Sequence, residues 1–195
     1  MTVYIGCDPG IHQTAFVSLE GDKLAPVVKR ILIVQGNKRL TGVHATIEMC
    51  GTVPCPQVKS LSPVLEQLVV LAVEGQEQRP RNQGKSARPE DLINLANVTG
   101  AVLASVRADK IYRPTPTEWK GSKPKRVQQA RTCAIMGWGF ELHGTGDKQF
   151  CVPTGITLDL MVERLKFDVG ALSNWSHIMD ALGLALWSMD KSLTG

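Results

Sequence analysis

Apolar residues along this chain fall into short runs separated by turn residues, a pattern typical of strands. The first three runs are Val3–Cys7, Thr14–Leu19 and Val27–Val34, and the pair Gly21-Asp22 marks a hairpin turn between the last two. Because only short turns separate these runs, we expect three antiparallel strands at the start of a sheet.

Helical patterns then alternate with further strands. The nearly continuous apolar run Leu68–Glu74 predicts a central strand that is covered on both faces. Helices are predicted for Pro89–Ala108, Lys125–Met136 and Asn174–Asp190. A short fifth strand is predicted at Ile111–Arg113, followed by a Pro-Thr-Pro-Thr turn over 114–117. An antiparallel start followed by strand–helix–strand units predicts a mixed α/β sheet.

Two stretches show no clear period. Residues 36–60 are interrupted by glycine and proline, with a short helix expected near Val43–Met49. Residues 137–172 are predicted to be an irregular insertion that carries a short helix at Leu158–Lys166. The length of 195 residues suits a single domain over 1–195 that includes this insertion.

Composition narrows the class of protein. The apolar fraction of 43% and the charged fraction of 21% are ordinary for a soluble globular chain. No run approaches the roughly 20 apolar residues of a membrane span, and the first residues lack a basic region and a cleavage site. We therefore expect no membrane partner, no secretion signal and a cytoplasmic location. The net charge of +4 is a mild preference for polyanions.

The cysteines favour free thiols. Their number is odd, five, and no export signal accompanies them, which argues against a disulfide framework. Cys50 and Cys55 could form half of a structural zinc site, although no second close pair of Cys or His follows them.

Acidic residues stand at the ends of two apolar strands and inside an apolar helix. Asp8 ends the first strand, Glu74 ends the central strand, and Asp180 lies in the last helix three residues after His177. Residues three apart share a helix face, so His177 and Asp180 can point at one place. Carboxylates beside a core are costly unless they are paired or bound to a metal.

Acids that converge without a matching Lys or Arg in the same segments repel one another, and divalent cations relieve the repulsion. Oxygen-rich sites suit Mg²⁺ or Mn²⁺. Two such ions about 4 Å apart can activate water and stabilise the leaving oxygen in phosphodiester hydrolysis. Taken singly, the residues have ordinary interpretations as well: Asp8 as a turn residue, Glu74 as the partner of Arg79 or Arg81, and His177 as a core histidine.

Short motifs over most of the chain resemble the RuvC family of Holliday junction resolvases. Ile5–Gly10 resembles the first-strand motif that ends in Asp-Pro-Gly, and Leu71–Glu74 resembles the second acidic motif. Asn94–Ala104 resembles the following helix, and Ser176–Leu182 resembles the terminal motif His/Asp-x-x-Asp-Ala. The stretch around Trp119 and Lys120 is also similar to phage and bacterial relatives.

The resemblance implies an RNase H-like α/β fold, with a five-stranded mixed sheet flanked by helices. It implies that Asp8, Glu74, His177 and Asp180 are catalytic and hold two divalent ions, Mg²⁺ or Mn²⁺. It further implies a homodimer that cuts four-way DNA junctions by symmetric nicks on opposed strands and leaves 5′-phosphates. The setting would be the cytoplasm of a bacterial or phage-infected cell.

The chain also departs from the family pattern. His177 stands where some members carry a carboxylate, which softens the site and makes a preference for Mn²⁺ conceivable. Residues 76–87 hold no aromatic, whereas the equivalent loop of bacterial members often uses one to probe the junction. These departures are typical of a phage or otherwise divergent member. They keep flaps, forks and RNA–DNA hybrids open as substrates.

Basic residues cluster in two places that would flank the acidic site. The clusters are Arg79, Arg81, Lys85 and Arg88 in the first, and Lys120, Lys123, Lys125 and Arg126 in the second. Contacts from such residues to phosphates give affinity and salt dependence rather than sequence preference. A solvated helix face is the ordinary alternative. Trp119 could stack on DNA or serve as a buried anchor.

Two other classes of protein compete with a nuclease. An actin-like or sugar-kinase fold needs two subdomains and a second phosphate loop, for which this chain is too short. A non-catalytic DNA-binding protein is the other alternative, and the complete set of metal-binding side chains argues against it.

Overall fold

The computed structural model describes residues 2–35, 68–75, 89–155 and 170–193. Its strands are β1 Thr2–Asp8, β2 Gln13–Glu20, β3 Val27–Gln35, β4 Leu68–Val73, β5 Lys110–Tyr112, β6 Gly139–His143 and β7 Phe150–Thr154. Its helices are α1 Pro89–Ser105, α2 Pro116–Lys120, α3 Lys125–Met136 and α4 Asn174–Leu193, with a 3-10 turn at Gly146–Lys148.

The first five strands form one mixed sheet in the order β3-β2-β1-β4-β5. β1 pairs antiparallel with β2, and β2 pairs antiparallel with β3, as the short turns predict. β4 lies parallel to β1, and β5 lies parallel to β4. The predicted five-stranded mixed sheet with three antiparallel strands at its start is therefore confirmed.

Helices cover both faces of this sheet. On one face, Val98 and Val102 of α1 pack against the apolar side chains of β1 and β4. On the other face, Ile178 and Leu182 of α4 pack against β1 and β2, and α3 packs beside α4. Residues Val69–Val73 of the all-apolar β4 are buried because they lie between these two helical layers.

Gly6 permits α4 to approach β1 closely. A Cβ atom at Gly6 would lie 1.9 Å from the carbonyl oxygen of Ala181 and 2.6 Å from the backbone nitrogen of Ala185. Since no side chain fits there, the helix backbone rests directly on the strand. This contact brings the first turns of α4 to the carboxyl end of β1.

The chain also contains regular structure that its hydrophobic pattern does not predict. β6 and β7 form an antiparallel hairpin inside the stretch 137–172, which was expected to be irregular. Helix α2 begins at Pro116, inside the stretch 114–117 that was expected to form a turn. The helix expected near Val43–Met49 and the one at Leu158–Lys166 lie outside the described residues.

Three cysteines are buried as free thiols, Cys7, Cys133 and Cys151. Cys50 and Cys55, the pair considered for zinc, lie outside the described residues. In the parts of the chain that the structure describes, no helix combines the length and apolar character that crossing a membrane requires.

Candidate active site

Asp8 and Glu74 lie side by side at the carboxyl ends of two parallel strands. The register pairs Cys7 of β1 with Val73 of β4, and the backbone N–H of Glu74 donates to the carbonyl of Cys7 at 3.1 Å. Side chains alternate between the two faces of a strand. Cys7 and Val73 belong to the core beneath α1, so Asp8 and Glu74 turn toward the α4 face.

Helix α4 supplies the two other predicted site residues to this place. His177 Nδ1 lies 2.7 Å from Asp8 Oδ2. Asp180 lies one turn further along the helix and is 4% exposed, which makes it one of the few buried acids of the described residues. The structure therefore gathers Asp8, Glu74, His177 and Asp180 from β1, the end of β4, and α4.

Burial and mutual repulsion shape the electrostatics of this centre. Burial raises the pKa of Glu74, and the charges of Asp8 and Asp180 raise it further, against the effects of Lys120 and Trp119. Burial likewise raises the pKa of Asp180, where Lys125 opposes the shift and Asp8 adds to it. The hydrogen bond to Asp8 raises the pKa of His177. The three carboxylates therefore act on one another as a single charged cluster.

Two lysines from other elements bind these carboxylates. Lys120 Nζ of α2 lies 3.3 Å from Glu74 Oε1. Lys125 Nζ of α3 lies 2.6 Å from Asp180 Oδ2. Burial lowers the pKa of Lys125, but the negative charges around it, Asp180 first, outweigh this effect and raise the pKa overall. Both lysines were predicted to bind DNA, and both contact the acidic centre itself.

Trp119 is a buried anchor that also reaches the site. It is 6% exposed, and it packs with Ala72 and Leu184. Its indole Nε1 donates to Glu74 Oε1 at 3.0 Å. The stacking of this ring on DNA, the other interpretation of Trp119, does not fit its burial.

Helix α2, which places Trp119 and Lys120, has a sequence signal that could have been used. Thr115 caps the helix, Glu118 bonds back to the backbone N–H of Thr115, and Pro116 occupies the first turn. A threonine followed three residues later by glutamate is a capping box, and proline is common at the first helical position. The stretch Thr-Pro-Thr-Glu therefore indicates a helix start rather than a turn.

A basic cleft of about 470 Å³ lies beside the acidic centre. Its walls come from the turn between α2 and α3 and from the tip of the β6–β7 hairpin. Its charged lining residues are Lys120, Lys123, Lys125, Arg126 and Asp147. Since Lys120 and Lys125 also contact Glu74 and Asp180, the cleft adjoins the acidic centre. The first predicted basic cluster, Arg79, Arg81, Lys85 and Arg88, lies outside the described residues.

The side chains of the acidic centre are not arranged to bind a metal ion in their present positions. Among the described residues, no three His, Cys, Asp or Glu side chains form a group that could hold a metal ion as they stand. Each carboxylate is instead engaged by a donor of this chain: His177 for Asp8, Trp119 and Lys120 for Glu74, and Lys125 for Asp180.

Comparison with known proteins shows the fold. No protein-family model and no curated protein matches the sequence. A structure of RuvC from T. thermophilus in complex with a Holliday junction substrate matches with a TM-score of 0.60 and 17% identity, over 100% of this chain and 97% of that chain. A second Thermus thermophilus RuvC structure matches with a TM-score of 0.58 and 18% identity, over 99% and 97%.

The chain has the fold of RuvC. This finding confirms the RNase H-like α/β prediction, and it confirms the RuvC resemblance of the sequence motifs at the level of the fold. It also argues against the actin-like alternative, which needs two subdomains, because one RuvC-like unit matches over 100% of this chain.

Proposed function

We propose that this chain is a metal-dependent endodeoxyribonuclease that resolves branched DNA, with the four-way Holliday junction as its substrate. The observation that carries the proposal is the convergence of Asp8, Glu74 and Asp180, with His177, on one face of the sheet. The fold adds support, because the matched RuvC structure is a complex with a Holliday junction substrate.

The donor set suits divalent cations such as Mg²⁺ or Mn²⁺. Carboxylate oxygens are hard ligands, and an imidazole extends the range toward Mn²⁺. Burial and mutual repulsion raise the pKa values of Glu74 and Asp180. A bound cation would favour the ionised carboxylates and so oppose both effects. Because His177, Lys120 and Lys125 now neutralise the carboxylates, we infer that metal binding exchanges these contacts.

Asp8, Glu74, His177 and Asp180 would hold two ions. Bound there, such ions supply an activated water and stabilise the leaving oxygen of a phosphodiester. The remaining tasks fall to groups of the chain itself. Trp119 fixes one oxygen of Glu74, and the two lysines place positive charge where the phosphate of a bound strand would enter.

The basic cleft offers a path for the DNA strand. Lys123 and Arg126 are exposed on its wall and are free of the acidic centre. Contacts from these side chains to phosphates would hold the strand next to the carboxylates without reading its sequence. We propose that this half of the predicted basic surface positions the scissile phosphate.

Symmetric cleavage of a four-way junction needs two active sites. We therefore propose a homodimer, in which each protomer nicks one of two opposed strands. Sedimentation or light scattering of the chain, with and without a junction, tests this assembly directly.

A cleavage assay tests the function. Labelled four-way junction, replication fork, RNA–DNA hybrid and linear duplex are each incubated with the protein in Mg²⁺, in Mn²⁺ and in EDTA. Asp180→Asn is the test variant, and Asp190→Asn is its matched control. Asp190 lies on the same helix but pairs with Lys23 away from the site.

Paired nicks on the junction that disappear in EDTA and in Asp180→Asn, but persist in Asp190→Asn, would support a resolvase. Equal cutting of forks or hybrids would replace the junction with a broader class of substrate. Tight binding without cutting in either metal would overturn catalysis and leave a DNA-binding protein.

A further inference from the structure

Gln129 is a buried amide that joins three elements of the fold. It lies on α3 and is 1% exposed. Its Nε2 donates to Asp180 Oδ1 at 2.8 Å and to the carbonyl of Ser176 at 3.0 Å. Its Oε1 accepts from the backbone N–H of Cys151 on β7 at 2.9 Å. Both donors and the acceptor of the amide are therefore used inside the protein.

The two backbone partners fix the orientation of this amide. A backbone N–H can only donate and a carbonyl can only accept, so the oxygen of Gln129 must face Cys151 and its nitrogen must face Ser176. The second N–H then has one direction left, toward Asp180. An N–H donor in this direction sets the rotation of the carboxyl group.

We propose that Gln129 is a positioning residue that sets the rotation of the Asp180 carboxyl group and links it to the β6–β7 hairpin. The proposal rests on the nuclease function proposed above. Asp180 has one oxygen held by Gln129 and the other by Lys125. When Lys125 turns to another partner, Gln129 still keeps the carboxylate in place.

The link to the hairpin gives this contact a second role. The tip of the hairpin lines the basic cleft through Gly146, Asp147 and Gln149, and the side chain of Arg126 donates to Gln149. The same hairpin places the Cys151 amide that orients Gln129. A DNA strand in the cleft therefore contacts the element that determines how Asp180 is held.

The test compares Gln129→Met with Thr132→Val. Methionine keeps the length of glutamine without its hydrogen bonds. Thr132 is also buried on α3, but its hydroxyl bonds to the carbonyl of Gln128, so valine perturbs the same helix without touching Asp180. Gln129→Glu is added because its ionised side chain keeps an acceptor for Cys151 but has no donor for Asp180.

Two readouts separate positioning from folding. Hydrogen exchange of the β7 backbone, measured without metal, should quicken in Gln129→Met and stay close to wild type in Thr132→Val. Junction cleavage at saturating substrate should fall by about 10–100-fold in Gln129→Met and Gln129→Glu, while junction binding in EDTA and the activity of Thr132→Val are retained.

Slower cleavage in Thr132→Val equal to that in Gln129→Met would overturn the proposal, because general packing would then explain both. Unchanged hydrogen exchange at β7 would overturn the link to the hairpin. If the wild type cuts no substrate, the nuclease function fails, and the link is still decided by hydrogen exchange and by whether Mn²⁺ raises the melting temperature of wild type but not of Gln129→Met.

Discussion

Replacing Lys125 by methionine removes the cation that neutralises the most buried acid of the site. Asp180 is 4% exposed and lies 2.6 Å from Lys125 Nζ. Removing one partner of a buried ion pair costs about 3–5 kcal/mol, because the other charge is left in a poor environment. The Lys125 side chain is 32% exposed, so solvent already screens part of the pair and we expect about 2–3 kcal/mol.

The loss of stability in Lys125→Met should be measurable in EDTA and should become smaller when metal is added. For a chain of this size, about 2–3 kcal/mol corresponds to a fall in melting temperature of roughly 4–12 °C. An ion that binds only the folded state, at a concentration of about 100 times its Kd, raises the free energy of unfolding by about 2.7 kcal/mol. Mn²⁺ should therefore stabilise Lys125→Met more than wild type, since no lysine competes for Asp180.

Thermal unfolding in EDTA and across a Mn²⁺ titration measures both effects. Lys123→Met is the matched control, because Lys123 is exposed on the neighbouring turn. Equal melting temperatures of Lys125→Met and wild type in EDTA would refute the predicted loss of stability. An equal rise of all three melting temperatures with Mn²⁺ would refute the competition between Lys125 and the metal.

Further substitutions test the packing, the histidine and the cleft. Gly6→Ala should lower the free energy of unfolding in urea by more than about 4 kcal/mol, because its Cβ would overlap the α4 backbone. Gly100→Ala is the control and should be neutral or stabilising, since nothing lies near its Cβ. Equal effects of the two substitutions would contradict the close contact at Gly6. The pKa of His177 is raised in the folded state, so its stabilising effect is complete below its ordinary pKa of 6.5 and is lost as pH rises through the raised value. The difference in unfolding free energy between wild type and His177→Gln in EDTA should therefore shrink with rising pH, and a constant difference would argue against the bond to Asp8. Lys123→Ala should lower the salt dependence of junction binding by about one unit of slope without changing the cleavage rate at saturation; an unchanged slope would place the strand elsewhere.

The sheet and the acids at its strand ends could be predicted because both leave local signals. β1 and β4 are apolar runs that end at Asp8 and Glu74, and the helical spacing of His177 and Asp180 is visible in the sequence. Parallel pairing then makes the strand ends neighbours. The length of the apolar run and the position of the acid were enough, without any knowledge of long-range contacts.

The β6–β7 hairpin gave no such signal. Four of the five β6 residues are exposed, so no apolar alternation marks the strand. β7 contains Pro153, which lacks an N–H donor and usually argues against a strand. The hairpin is stabilised instead by contacts that are distant in sequence, among them the bond between Gln129 and Cys151.

The ion pairs of Lys120 and Lys125 with the site could not be predicted by reading each segment alone, although both lysines were expected to flank it. No basic residue stands in the predicted strand that ends at Glu74 or beside Asp180 in its helix, so the sequence predicts carboxylates without cationic partners. In the folded chain, Lys120 and Lys125 come from α2 and α3 and lie within hydrogen-bonding distance of those carboxylates. Only tertiary structure shows that the repulsion is already partly compensated.

This compensation changes what the proposed metal must do. A buried cluster of carboxylates without partners would make folding depend on the ion, as in structural metal sites. Here Asp8, Glu74 and Asp180 each have a donor from the chain, so we expect the chain to fold without a metal. EDTA should therefore abolish cleavage while leaving the far-UV circular dichroism intact, and it should weaken junction binding without abolishing it. Lys120 and Lys125 also line the basic cleft, where the phosphates of a bound strand would pair with them in place of the carboxylates. Metal and DNA should then bind with positive coupling, because each frees the partner that the other requires.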